Sequence, residues 1–292
     1  MQTALFRPLG KTGAEVPAIG VGTNRWSYGA NDAPVLETYQ ALVDAGGGFI
    51  DTAEVYGFGK SERLIGECLH KDARPVFVAT KFAPFVARTS PRHLLAALDA
   101  SLARLGLASV DLYYVHFPFP FADLGGFADG LAETVKSGKA KYVGVSNFNA
   151  DQMRRVADRL ARSNIPLAAN EVHYSLAHRN PETNGVLEAC RELDVALVAY
   201  FPLASGRLAT PPADAKQDKL DAVRRALAEV ASAHQAIESQ AALNWLLARD
   251  PRVIPIPGAT KAHHAKANLG ALDWRLTDEE FALLDAASAP AK

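Results

Sequence analysis

The sequence predicts an α/β fold, a single (β/α)8 barrel of the TIM type with an N-terminal β-hairpin and extra helices. Three observations carry this. Short apolar or β-branched runs alternate with longer helical patterns along almost all of the 292 residues. None of these runs alternates polar with apolar, as expected for strands of a parallel sheet covered on both faces. And no early glycine-rich strand–turn–helix marks a doubly wound dinucleotide fold. Gly46, Gly47 and Gly48 come before a strand, where they read as a helix-to-strand turn.

Taken in order, residues 1–17 read as a small hairpin over the barrel floor, because Gly10-Lys11-Thr12-Gly13 is turn-like. Strands are expected near 18–22, 48–52, 76–81, 110–116, 142–146, 167–172, 196–201 and 252–256. The clearest helix follows Ser90 as N-cap, with Pro91 in its first turn. Leu94, Leu95, Leu98, Leu102 and Leu105 form its apolar face, and Gly106 stops it. A second helix ends at Gly138 and a third starts after Asn149. Residues 204–236 read as an insert, a Pro- and Ala-rich loop followed by a polar-faced helix. No segment has the composition of a linker, so 1–292 is read as one domain.

Composition narrows the function classes. With 49% hydrophobic and 22% charged residues the chain can build a full core, which argues against disorder. A formal charge of −1, from 31 basic and 32 acidic side chains, argues against a broad nucleic-acid or anionic-membrane surface. The N-terminal residues lack the apolar core of a secretory signal, and the most apolar run, 195–203, is too short to cross a bilayer. A cytoplasmic protein is the expectation. Cys68 and Cys190 fall inside amphipathic helices and read as small buried hydrophobes. No spacing resembles a metal site, so none is expected.

In barrels of this kind chemistry sits at the C-terminal ends of the strands. Those ends carry Asp51, with Tyr56 five residues on, then Lys81, His116, Ser146-Asn147, Asn170-Glu171 and Tyr200. Singly, His116 and Tyr56 would be an ordinary buried histidine and an ordinary loop tyrosine. Four ionisable groups on adjacent strand ends are costly to bury without purpose and read as a site. A phenol holds its proton to a pKa of about 10, and a nearby ammonium lowers that value. Lys81 could supply the ammonium and Asp51 could hold it. His116 could hydrogen-bond a substrate carbonyl, with Tyr56 as general acid in reduction and general base in oxidation. No side chain donates hydride, so a nicotinamide is implied.

Seven segments in chain order then resemble the aldo-keto reductase family. They are FIDTAEVYGFGKSERLIG (49–66), VFVATK (76–81), VDLYYVH (110–116), GVSNF (144–148), NEVHYSL (170–176), AYFPLASGRL (199–208) and IPGATKAHHAKANL (256–269). The resemblance implies a catalytic tetrad of Asp51, Tyr56, Lys81 and His116. It also implies that Ser146, Asn147 and Asn170 hold the nicotinamide carboxamide and that Tyr200 stacks on its ring. Leu203, Arg207, Gly258, Thr260, Lys261, His264 and Asn268 would line the rest of the cofactor. Steroid double-bond reductases of the family carry glutamate in place of His116, so the histidine favours carbonyl over C=C reduction. The runs PLAANEVHYSL and GVLEACRELDVALVAY resemble the pyridoxal reductase branch. A pyridoxal-like or small aromatic aldehyde is the expected substrate.

The sequence departs from the family where the 2′-phosphate of NADPH is clamped. Gly258 and His264 stand where many members have lysine and arginine, and Ala267 replaces an acidic residue. A lysine and a histidine hold phosphate less firmly than a bidentate guanidinium. NADPH is the expected cofactor, with NADH or dual use as the alternative. Trp26, Tyr28, Phe82 and Phe117, with Phe119, fall in loops after strands and are read as an aromatic substrate mouth. The expected assembly is a monomer. A regulatory subunit of the potassium-channel β type, which keeps the cofactor site with little turnover, is the alternative function.

Overall fold

The computed structural model describes residues 5–28, 32–120, 123–208 and 220–289. Two short antiparallel strands, β1 (Phe6–Pro8) and β2 (Glu15–Pro17), pair around a 3-10 turn at Gly10–Thr12 and form the expected hairpin. Leu9 and Val16 plug the barrel floor, packed in one interior cluster with Phe49, Ile254 and Ala196. The buried Arg7 guanidinium ties the hairpin down, donating to the carbonyls of Leu247 (2.5 Å), Asp250 (2.7 Å) and Val253 (2.7 Å).

Eight parallel strands follow: β3 (Val21–Gly22), β4 (Phe49–Asp51), β5 (Phe77–Phe82), β6 (Val110–Val115), β7 (Ala140–Ser146), β8 (Leu167–His173), β9 (Ala196–Tyr200) and β10 (Val253–Ile256). Each sits where an apolar run predicts it. They pair in sequence order from β3 to β10. The seam between β10 and β3 closes differently, because Pro255 and Pro257 have no N–H to offer. Their carbonyls accept from Gly20 (3.0 Å) and Gly22 (3.2 Å), and Gly22 bridges Gly258. Missing donors explain why β3 is shorter than the run 18–22.

Helices α1 (Ala33–Asp44), α2 (Lys60–Lys71), α3 (Pro91–Leu105), α4 (Leu124–Lys136), α5 (Ala150–Ala161), α6 (Asn180–Thr183), α7 (Val186–Leu193), α8 (Asp221–Ala233), α9 (Glu238–Arg249), α10 (Ala262–Leu269) and α11 (Asp278–Ala287) surround the barrel. In α3, Leu94, Leu98, Leu102 and Leu105 are buried and Gly106 ends the helix at φ 66°. Ser90 takes the N-cap conformation, but its hydroxyl pairs with His93 Nδ1 (2.9 Å) instead of a backbone N–H. Asn149 makes a full capping box with Gln152 at α5. The expected insert contains α8, while most of its Pro- and Ala-rich loop (209–219) lies outside the described residues. Cys68 and Cys190 are buried and free.

Two apolar layers result. Outward-facing strand residues such as Ile50, Val78, Tyr113, Val143 and Leu197 join the helices in one core. Inward-facing residues fill the barrel: Phe49, Ala79, Leu112, Tyr114, Ala169, Val198 and Ile254. Gly144 belongs to this inner surface, where a Cβ would lie 2.6 Å from the Tyr114 ring. Packing on both faces explains why the strands read as unbroken apolar runs.

Candidate active site

Side chains alternate between the two faces of a strand, so counting in twos leads from the inner core to the rim. Phe49 leads to Asp51 on β4, Ala79 to Lys81 on β5, Tyr114 to His116 beyond β6, Ala169 to Glu171 on β8, and Val198 to Tyr200 on β9. Asp51, Lys81 and Glu171 are buried at the base of a cavity that Tyr56 and His116 line. Lys81 Nζ pairs with Asp51 Oδ2, donates to the Thr52 carbonyl (2.9 Å), and lies 3.3 Å from Glu171 Oε2 and 3.4 Å from the Tyr56 hydroxyl.

Burial opposes the Lys81 charge, but Asp51 and Glu171 outweigh it and keep the ammonium protonated above the ordinary lysine value. For Tyr56 the balance runs the other way. Burial raises its pKa, Lys81 lowers it, Asp51 and Glu171 raise it again, and the net direction is upward. The expectation that Lys81 would bring the phenol below its usual value is thus corrected: in this structure desolvation wins. Burial, then the Lys81 charge, pushes His116 down to about 3, so its ring is neutral at physiological pH. His116 Nδ1 is buried without a hydrogen-bond partner among the described residues, and the residue lines the cavity. The rings of Tyr56 and His116 stand edge to face at 5.9 Å.

The segment from Asp51 to α2 is pinned from below. Ser61 hydrogen-bonds Thr23 (2.8 Å) and Thr52 (3.0 Å). Buried Glu62 accepts from Thr80 (2.6 Å) and from Arg104 Nε (2.6 Å). Glu54 accepts from the Ala83 N–H (2.8 Å) and pairs with Arg88 (3.1 Å). Gly57 has φ +57°, and a Cβ there would lie 2.3 Å from that of Ser27, so the turn after Tyr56 needs glycine on both counts. These contacts hold the phenol in place.

On the facing rim, Asn147 has a left-handed backbone (φ 62°). Its Nδ2 donates to the His116 carbonyl (3.0 Å) and Ser146 Oγ (3.0 Å), and its Oδ1 accepts from the Tyr200 hydroxyl (2.9 Å). Ser146 Oγ donates to the Glu171 carbonyl (2.9 Å). The cavity, about 760 Å³, runs from Tyr56, His116, Asn147 and Tyr200 to Gly258, Thr260, His264 and Asn268.

A family model described as "Aldo/keto reductase family" matches residues 18–289. The chain belongs to the aldo-keto reductase family. It is 33% identical over 310 residues to the aldo-keto reductase yakc of Schizosaccharomyces pombe, whose name specifies NADP(+), with 93% of this chain and 88% of that one covered. It is 29% identical to the chloroplastic pyridoxal reductase of Arabidopsis thaliana, over 90% of this chain and 79% of that one. Among solved structures, a thermostable aldo-keto reductase in complex with epalrestat superposes with TM-score 0.84 at 35% identity, covering 97% and 99% of the two chains. An aldo-keto reductase from Klebsiella pneumoniae in complex with NADPH gives TM-score 0.83 at 28% identity, covering 100% and 97%.

In this aldo-keto reductase the expected site residues divide into two groups. Asp51, Tyr56, His116, Asn147, Tyr200, Leu203, Gly258, Thr260, His264 and Asn268 line one cavity, with Lys81 and Ser146 buried behind it. Others do not reach it. Asn170 points outward, where its Nδ2 donates to the Phe148 carbonyl (2.9 Å) and contacts Met153 S (3.0 Å). The inward position on β8 belongs to Glu171, the second residue of the strand-end pair Asn170-Glu171, to which the motif gave no role; inward Ala169 two residues earlier sets its direction. Lys261 is exposed at the N-cap of α10, and Arg207 accepts from Arg224 through its carbonyl (2.9 Å).

The aromatic mouth also needs correction. Phe82 is wholly buried, edge-on to Phe127 (5.7 Å) with the Arg88 guanidinium 5.0 Å above its ring. Trp26 is buried and donates from Nε1 to the Ala259 carbonyl (2.6 Å), bracing the 258–260 segment. Tyr28 is largely exposed beside Arg25. Phe117 packs between the Phe85 (6.4 Å) and His116 (5.5 Å) rings and is not among the residues that line the cavity. A strand end offers two opposite directions, and Phe82 takes the outward one, one residue after inward Lys81. Beside Tyr200, the cavity wall is made by Phe201, Pro202 and Leu203, with Asn24, Arg25 and Ile237 also lining it. Among the described residues no helix is long and apolar enough to cross a membrane, and no group of three or more His, Cys, Asp or Glu could hold a metal ion.

Proposed function

We propose that this protein is an NADPH-dependent reductase of aldehydes and ketones. The observation that carries the reading is the buried ammonium of Lys81, held by Asp51, 3.4 Å beneath a phenol that faces a cavity together with a neutral histidine. The cavity suits an extended dinucleotide. Its volume falls within the range of small-ligand sites, Tyr200 offers an aromatic wall, and the far end meets the N-terminus of α10, where backbone N–H groups favour phosphate. Asn147 and Tyr200 would hold the nicotinamide end. Thr260, His264 and Asn268 would hold the phosphate end. When bound, the cofactor supplies hydride.

The protein's own part follows from the site. His116, neutral near pH 7, donates a hydrogen bond from Nε2 to the carbonyl oxygen and orients it. Tyr56 passes its proton to that oxygen as it becomes an alkoxide, a far stronger base than phenolate, so a raised phenol pKa is no obstacle. Lys81 stabilises the phenolate that remains. Phe201, Pro202, Leu203 and Ile237 give the cavity apolar walls that fit a small aromatic or pyridoxal-like aldehyde. The names of relatives that specify NADP(+), NADPH and pyridoxal point the same way. We read residues 1–292 as one domain, acting as a cytoplasmic monomer.

The test is steady-state reduction of a carbonyl panel with NADPH and NADH, beside sedimentation. Turnover by a monomer, with NADPH preferred, is expected. A tetramer that binds NADPH and turns over no carbonyl would overturn the reading in favour of a channel-type regulatory subunit.

A further inference from the structure

Lys81 is one cation, yet two carboxyl groups converge on it. Asp51 makes the short pair, while Glu171 Oε2 lies 3.3 Å away, reaching Lys81 from β8 across the barrel. Both acids are buried. Asp51 and Glu171 also act directly on each other, and neither Asp51 Oδ1 nor Glu171 Oε2 accepts a hydrogen bond among the described residues, the approach of Glu171 Oε2 to Lys81 being an ion pair alone. Two ionised carboxylates around one ammonium would leave a net negative charge in a buried site, which is strongly unfavourable. A single proton on Glu171, donated toward Asp51, makes the cluster neutral and gives these oxygens a partner.

We propose that Glu171 is a positioning residue kept as a neutral carboxylic acid, so that Asp51 alone balances Lys81 and the field of the ammonium reaches Tyr56. The inference deepens the reductase reading and rests on it for its kinetic part. The groups that face Glu171 are Asp51 from β4, Tyr56 from the following loop, Lys81 from β5, Tyr114 from β6 and Tyr200 from β9, with the Ser146 hydroxyl on its carbonyl from β7. Lys81 is the one cation in this set, and Asp51 the one other carboxyl. Asp51 holds the closer contact to the ammonium, so the proton belongs to Glu171. Burial, then Asp51, raises Glu171 well above the usual carboxylate range, in accord with the geometry.

The consequence is a second titration beneath the phenol. Burial raises both groups, and the Glu171 carboxyl can give up its proton to the cavity that it lines. The cluster then carries one negative charge, and removing the phenol proton becomes harder. In E171Q the amide cannot ionise, so Tyr56 should deprotonate at lower pH. One unit charge a few ångströms away, at an effective dielectric near 20, is worth roughly two to three pH units.

Infrared spectroscopy of the full chain without cofactor tests the protonation directly. At pH 7 the wild type should display the carbonyl stretch of a buried protonated carboxylic acid, and E171Q should lose it. Absence of that band in the wild type, or its survival in E171Q, overturns the proposal. The wild-type spectrum judges it even if E171Q does not fold. In the second measurement, the alkaline limb of alcohol oxidation should move down by roughly two to three pH units in E171Q. An unmoved limb overturns the link to Tyr56. A wild type with the band but without carbonyl turnover would defeat the reductase reading and leave the protonation of Glu171 standing.

Discussion

The Tyr56 hydroxyl lies 3.4 Å from the Lys81 ammonium, and that ammonium is completely enclosed by protein. The phenol thereby links a buried charge cluster to the cavity. Replacing Tyr56 with Phe keeps the packing and removes the proton. Carbonyl reduction should fall by about 10²–10⁴-fold in kcat, the usual worth of a general acid. NADPH affinity, read by quenching of tryptophan fluorescence, should stay within a factor of about three of wild type, well under one kcal/mol. Near-original turnover in Y56F would mean that another group delivers the proton.

Removing the cation has a different signature. Lys81→Met leaves Asp51 buried without its partner, and such a loss costs about 3–5 kcal/mol. The double variant Asp51→Asn with Lys81→Met removes both charges and should recover much of that stability while remaining inactive. Denaturant unfolding of the three proteins measures this. Equal stability of single and double variants would contradict the pairing.

His116 links the site to acid sensitivity. Its folded-state pKa is depressed from 6.5 to about 3, so the unfolded chain binds a proton across that window when the folded chain does not. Its contribution is fully present above pH 6.5 and is lost progressively as pH falls toward 3. The slope is at most about 1.4 kcal/mol per pH unit. His116→Gln should therefore flatten the decline of stability below pH 6.5, measured as denaturation midpoints at several pH values. An unchanged slope would place the neutral imidazole elsewhere in the balance.

Phe82 distinguishes a core role from a substrate role. Phe82→Ala should cost about 3–5 kcal/mol, as for other buried aromatics. KM values across a set of aromatic and aliphatic aldehydes should move together, without a change in selectivity. A selective loss of aromatic substrates would return Phe82 to the mouth.

The phosphate end makes the last prediction. His264 lines the cavity at the start of α10, and burial, His263 and Lys261 all lower its pKa, so it brings little charge at neutral pH. His264→Arg adds a permanent guanidinium. NADPH should bind roughly tenfold tighter, one charge-assisted hydrogen bond, while NADH is little affected. Equal gains for both cofactors would show that the new charge meets the diphosphate instead.

Much of the fold was legible because covered strands need unbroken apolar runs and helices need their caps. The run 110–116 and the Leu94–Leu105 face are direct imprints of burial. Tyr56, Lys81 and His116 stood out for the same reason, as ionisable groups placed where such runs end. The errors at Asn170 and Phe82 have one cause. Adjacent residues on a strand point to opposite faces, and a continuous apolar run does not reveal which face is which. Only the inner cluster of Ala79, Ala169 and Val198 sets that parity.

By itself, then, the sequence determined the order of the elements, the barrel and the set of groups carried to its rim, since these follow from local pattern and strand length. Tertiary structure decided which of those groups meet. It turned Glu171 inward and Asn170 outward, sent Trp26 and Phe82 into the core, and gathered two carboxyls around Lys81. It also decided the protonation of the site, because desolvation depends on everything packed around a group. That is why Tyr56, beside a lysine, holds its proton more tightly than a free phenol.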